Sequence, residues 1–226
     1  MKNNSLLSIS VSIVMIGLLG CGGGGGGGSG GGKSARPSTG LRVLNANIDL
    51  APVEVFLGDE ASPRTKAIFS NSSDWISTNG AQSVNLKRAN TDDAVKTVSV
   101  TLKDNEVQTI LLYGDLKSFG LRVSNLDDTL PAITSGNAAV RIIHGTVGAA
   151  QVAASVGATS IATSTTFGTA SEYVLVPAGT SALKAKRVSD SSILYDRPFT
   201  FEDGKAYSLL LSGDTNYLAV GEVLED

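Results

Sequence analysis

The sequence predicts an all-β protein, two tandem antiparallel β-sandwiches of the immunoglobulin-like kind behind a removable leader and a glycine tether. Three observations carry the prediction. Apolar runs are short and often alternate, as in "SVNLK" (83–87), "VKTVSVTL" (95–102) and "SALKAKRV" (181–188), and turn clusters such as "KDN" (103–105) and "PAGT" (177–180) bound them. No segment sustains the 3.6-residue apolar period of a helix. From Leu41 onward the chain aligns with itself at an offset of 98 or 99 residues.

The amino terminus, "MKNNSLLSISVSIVMIGLLGC", has one positive residue, Lys2, and then an apolar run from Leu6 to Leu19. That run falls short of the ~20 residues a membrane-spanning helix needs, so it reads as a signal-peptide core, residues 1–20. Its end, Leu18-Leu19-Gly20-Cys21, resembles the bacterial lipobox. The resemblance implies diacylglycerol on the Cys21 thiol, cleavage between Gly20 and Cys21, and acylation (palmitate or a similar chain) of the new terminus. Two or three acyl chains hold a protein stably on a bilayer where one does not. Gly22, rather than Asp, follows the cysteine, and the sorting rule of Gram-negative lipoproteins then implies the outer membrane, within a lipid-anchored place in the cell envelope and its periplasm.

Residues 22–32 are glycine except Ser29, and "KSARPSTG" continues to Gly40. Such a composition buries no apolar surface and reads as a flexible linker over residues 21–40. Its 19 residues after Cys21 span about 25 Å as a coil and about 65 Å fully stretched. The end of this run, "GGSGGGKS", also satisfies the phosphate-loop pattern. That loop requires a buried strand before it and a helix after it, whereas here a leader precedes and Pro37 and Gly40 follow. No nucleotide is expected.

The self-alignment sets the domains. "LRVLNANIDLAPVEVFL" (41–57) lies over "VRIIHGTVGAAQVAASV" (140–156), "FSNSSDWIS" (69–77) over "FGTASEYVL" (167–175), and "TLKDNEVQTILLYGD" (101–115) over "TFEDGKAYSLLLSGD" (200–214). The reading is a first sandwich at 41–126, a linker at 127–138 containing Asp127, Asp128, Pro131 and Gly136, and a second sandwich at 139–226, each with about seven strands.

Each repeat resembles the domain of unknown function 4397 family, on the residues "VRIIHGTVGAAQVAASV", "TTFGTASEYVLVPAGTSALKAK" (165–186) and "FTFEDGKAYSLLLSGD" (199–214). The second repeat keeps the family's Arg141, His144, Phe167, Ser171, Tyr173 and Gly179; the first has Asn45, Trp75 and Gln108 where the second has His144, Tyr173 and Tyr207. The resemblance implies an Ig-like or prealbumin-like sandwich of bacterial secreted proteins and lipoproteins, with no established catalytic residues.

The side-chain inventory narrows the chemistry further. One cysteine and one histidine exclude zinc sites, Cys/His nucleophile pairs and disulfide frameworks within one chain. Lys and Arg number 18 against 21 Asp and Glu, and no basic cluster exceeds two adjacent residues, so no nucleic-acid partner is expected. His144 reads first as a structural residue bonded to the bend that follows it, and second as a ligand residue. Phe69, Trp75, Phe167 and Tyr173 read as core anchors of the two sandwiches, with the single Trp75 as the one candidate for exposed binding. The carboxylate pairs Asp74/Glu172 and Asp104/Asp203 arise from the duplication and support only a remote reading as a hydrolase. The expectation is a non-enzymatic binding or structural module without cofactor or metal, its partner an envelope protein or a glycan. An alternative is a subunit of a larger cell-surface or secretion-associated assembly.

Overall fold

Alternation sends every second side chain of a strand to the opposite face, and four strands of this chain are apolar on both faces. They are β1 (Gly40–Asn45), β8 (Val107–Asp115), β10 (Asn137–His144) and β16 (Ala206–Asp214). A strand of that kind must be covered on both sides, which a lone sandwich with one solvated face does not do. The computed structural model, which describes residues 35–50, 52–117, 120–215 and 218–226, shows the solution. Four sheets stack as layers, and these strands form the two middle ones.

The first middle sheet runs β4 (Asn71–Ser72), β1, β8, β9 (Gly120–Asp127), with β5 (Ile76–Ser77) also pairing β1. Its outer partner runs β3 (Thr65–Ala67), β2 (Val53–Leu57), β6 (Gly80–Arg88), β7 (Ala94–Leu102). The second half repeats the plan. Its middle sheet is β13 (Val174–Pro177), β10, β16, β17 (Leu218–Glu225), and its outer sheet is β12 (Thr159–Thr166), β11 (Gln151–Val156), β14 (Gly179–Arg187), β15 (Ile193–Phe201). The ladders are antiparallel except at the centre of each middle sheet, where β1 pairs β8 and β10 pairs β16 in parallel. Repetition of the sequence is thus repetition of the hydrogen-bond pattern: Ser73 N–H bonds Val43 O as Ser171 N–H bonds Ile142 O, and Asp128 N–H bonds Val107 O as Asp226 N–H bonds Ala206 O.

Each sandwich has its own core. Leu41 and Val43 of β1 meet Val53, Val55, Val84 and Leu86 in the first, while Val140 and Ile142 of β10 meet Val152, Leu183, Phe201 and Leu209 in the second. A third core, the seam, takes the opposite faces of the same strands: Leu44, Leu111, Tyr113 and Leu126 from one side, Ile143, Leu210 and Leu224 from the other. Burying each such Leu or Ile is worth about 1.5–3 kcal/mol, and the described residues fall in one compact unit. The leader, Gly20, Cys21 and the glycine run lie outside the described residues.

The seam is reciprocal, the pattern of an isologous contact. Ala46 and its equivalent Gly145 meet each other, and a Cβ at 145 would overlap that of Ala46. Tyr113 lies on Gly168, which has a positive φ of 83° and no room for a Cβ under the phenol ring. The equivalent pair is small on both sides, with Ser212 Oγ donating to Ser70 Oγ at 2.8 Å.

Candidate functional site

An arginine placed inside an apolar strand must be paired where it is buried, because an isolated charge in an apolar interior is prohibitively costly. Arg42 and Arg141 occupy that position in β1 and β10, with side chains fully buried at the seam. Their partners come from both sandwiches. Arg42 Nε donates to Thr109 Oγ1 at 3.0 Å, Thr109 donates to Asp128, and Asp128 accepts from Arg141 Nη2. Arg141 Nε donates to Ser208 Oγ at 2.8 Å, Ser208 donates to Asp226, and Asp226 accepts from Arg42 Nη2. Six side chains form a closed ring in which each arginine pairs most closely with the carboxylate of the other sandwich. Burial opposes ionisation of Asp226, but the Arg42 and Arg141 guanidinium groups outweigh it and hold its carboxyl below the usual range. Burial likewise draws Arg141 down, with Tyr173 and Asp226 opposing.

Trp75 and Tyr173 flank this ring instead of filling the sandwich cores. Trp75, half-buried, stacks against Arg42 at 4.4 Å, and Tyr173 against Arg141 at 4.6 Å. The Tyr173 hydroxyl donates to Asp226 at 2.8 Å, and burial together with that carboxylate pushes the phenol up. Phe167 packs edge-on to Tyr113 within the seam. The expectation that Trp75, Phe167 and Tyr173 anchor separate cores is corrected here: these rings serve the contact between sandwiches.

His144 is fully buried. Its Nδ1 accepts from Thr146 N–H at 3.3 Å and its Nε2 lies 2.9 Å from Ala149 O, so the ring is neutral with its proton on Nε2. Burial pushes it down to about 4, against the bond to Ala149. Neither nitrogen is left for a ligand. Asn45 does the accepting half of this work in the first sandwich, its Oδ1 accepting from Asn47 N–H at 3.1 Å. Asp74 and Glu172 lie in different sandwiches on exposed turns, as do Asp104 and Asp203, whose Oδ1 accepts from Gly136 N–H.

Among the described residues, cavities of two kinds open to solvent. At the seam, a cleft of about 540 Å³ lies between the segment after β9 and residues 169–173, and one of about 290 Å³ lies beside Trp75. The outer sheets differ between the copies. In β2, Glu54 pairs with Lys66 at 2.9 Å and Phe56 lies under the Lys87 ammonium at 4.8 Å. In β11 the equivalent residues are Ala153 and Ser155, and a groove of about 550 Å³ opens over them, flanked by Lys184, Lys186 and Ile193.

A duplicated β-sandwich joined by an exchanged Arg–Asp ring defines an all-β module with solvent-open clefts at the seam and on an outer sheet. Residues 39–155 and 138–226 match the family described as Domain of unknown function (DUF4397), and the chain belongs to that family. No curated protein matches it. Among solved structures it is similar to CBMbc, a family CBM26 module of Eubacterium rectale Amy13K in complex with maltoheptaose, at 10% identity and TM-score 0.28, over 83% of this chain and 97% of that one. It is also similar to a candidate cell adhesion protein from Bacteroides uniformis, at 8% identity and TM-score 0.22, over 84% of this chain and 99% of that one. Neither likeness is close enough to transfer a ligand.

The ring of buried polar residues was only partly legible beforehand. The arginine in "LRVL" and again in "VRII" stands among apolar residues, and a guanidinium buried there requires carboxylates. Asp128 stands in a stretch rich in turn residues and Asp226 is the last residue of the sequence, so neither sits in an apolar run that would mark it as buried.

Proposed function

We propose that this chain is a lipid-anchored envelope protein whose two sandwiches form one non-enzymatic binding module, recognising a glycan or another envelope protein. The observation that carries the binding part is the difference between the outer sheets: Glu54 and Phe56 fill the surface of the first, and Ala153 and Ser155 leave the same surface of the second hollow. A groove floored by small side chains and edged by lysine stems accepts a chain laid across the strands. The anchor part rests on Leu18-Leu19-Gly20-Cys21 behind an apolar run and before a glycine spacer.

A screen of glycans and envelope proteins against the leaderless Cys21→Ala chain tests the module, with Ser155→Phe as the filled control. Binding that Ser155→Phe leaves unchanged sinks the groove as the site. The anchor is tested separately by metabolic labelling with an alkyne fatty acid, where the expected result is incorporation that Cys21→Ala abolishes. A third sandwich-bearing partner that copurifies stoichiometrically from solubilised envelopes would instead favour the assembly-subunit reading.

A further inference from the structure

Among the described residues the seam carries two clefts at equivalent places, and one of them is entered by a further arginine, Arg36. In the first, the strandless residues 35–37 bring Arg36 against Trp75, with its guanidinium 5.1 Å from the ring centre and donating to the backbone oxygen of Asp128. Arg42, Ser73 and Glu225 line the same cleft. In the second, Arg141 stands for Arg42, Ser171 for Ser73, Tyr173 for Trp75 and Asp127 for Glu225, and the open volume is about 540 Å³ against about 290 Å³. No arginine precedes β10 to enter it, because residues 129–136 read "TLPAITSG".

The charge balance differs in the same direction. Glu225 in the first cleft is paired with Lys205 at 2.6 Å. The residue equivalent to Lys205 in the other copy is Glu106, whose carboxylate adds to the negative charge near Asp127. The Asp127 carboxylate accepts from the N–H and Oγ1 of Thr129, its carbonyl accepts from Arg141 Nη1 at 2.8 Å, and its charge reaches Arg36, whereas Glu172, exposed at the rim, has no ion-pair partner among the described residues. The cleft therefore offers an aromatic face and, beside Asp127, a rim carboxylate without an ion pair, Glu172, at the place equivalent to the one that Arg36 enters.

We infer that this second seam cleft is a guanidinium site that takes an arginine side chain from an extended polypeptide segment, as the first cleft takes Arg36. A planar guanidinium stacks on the Tyr173 ring while its N–H groups reach carboxylates at the edge, a combination that a lysine ammonium does not reproduce. The site is separate from the outer-sheet groove, so the two stand or fall independently.

The test is calorimetric titration of the leaderless Cys21→Ala chain with acetyl-Ala-Arg-Pro-amide, which copies residues 35–37, and with its lysine counterpart. The expected result is one site per chain, about tenfold weaker for the lysine peptide and about fivefold weaker in Glu172→Gln and in Asp127→Asn. Both substitutions are of exposed side chains, so folding is retained. Ser155→Phe leaves this binding unchanged, and Arg36→Ala, which vacates the first cleft, raises the stoichiometry to two. Equal affinity for the two peptides, binding indifferent to both carboxylate substitutions, or binding that appears only in Arg36→Ala overturns the site. L-Arginine methyl ester that binds as tightly as the peptide overturns the polypeptide segment as the source while retaining the guanidinium.

Discussion

The two copies agree in the buried ring of the seam and differ on their outer sheets. In that ring each member recurs: Arg42 with Arg141, Thr109 with Ser208, Asp128 with Asp226, an aromatic ring beside each arginine. On the outer sheets the equivalent pairs are Glu54 with Ala153 and Phe56 with Ser155. The difference follows from what each surface is bound to. A seam residue is held by two sandwiches at once, so removing one member leaves a buried charge in the other copy. An outer-sheet residue answers only to its own sheet and to solvent, and can be traded for a smaller one.

The largest expected effect breaks the seam. Asp128→Ala removes the carboxylate bonded to Arg141 and Thr109 and leaves both arginines short of negative charge, at a cost of about 3–5 kcal/mol; neighbouring Asp127→Ala, at an exposed position, costs under ~0.5 kcal/mol. Denaturant unfolding of the two variants measures the contrast, and equal costs would remove the seam's special status.

Acid tests the difference between Asn45 and His144. The native ring resists protonation until about pH 4, whereas the unfolded ring takes a proton near 6.5. The contribution is complete above pH 6.5 and is lost as pH falls toward 4, reaching about 3 kcal/mol. His144→Asn, which copies the first sandwich, should lose that part of the acid sensitivity. Unfolding midpoints at pH 7 and pH 5 that shift by the same amount in both proteins would refute it.

Gly168→Ala is expected to cost about 2 kcal/mol, combining a left-handed backbone with overlap against Tyr113. Pairing it with Tyr113→Ala tests the mechanism, since the clash disappears with the ring and the two costs should then fail to add. On the outer sheets, Phe56→Ala should cost about 3 kcal/mol, as a buried aromatic does, and Ser155→Ala under ~0.5 kcal/mol. A comparable cost at 155 would mean that the hollow surface is already packed.

Much of the fold was legible because strand signals are local. Alternation in "VKTVSVTL", turn residues in "KDN" and "PAGT", and the 98- or 99-residue offset mark strands and their duplication without any knowledge of neighbours. The candidate sites were far less legible. His144 and Trp75 stood out by rarity, yet one is a buried acceptor–donor at the end of β10 and the other a flank of the Arg42 pair. Arg36, in a stretch read only as tether, sits in a seam cleft, and Asp128, in a stretch read as linker, is fully buried.

By itself the sequence determined the class of structure, because the period of apolar residues and the chemistry of turns act within a few residues of one another. It also determined the membership of each half in one repeated plan. Only the tertiary structure decided that β1, β8, β10 and β16 are covered on both faces, and that each arginine pairs with the carboxylate of the other sandwich. Those facts depend on which surfaces meet across a separation of about 100 residues, where a one-residue change in which side chains face the seam would place the arginines among the sandwich cores.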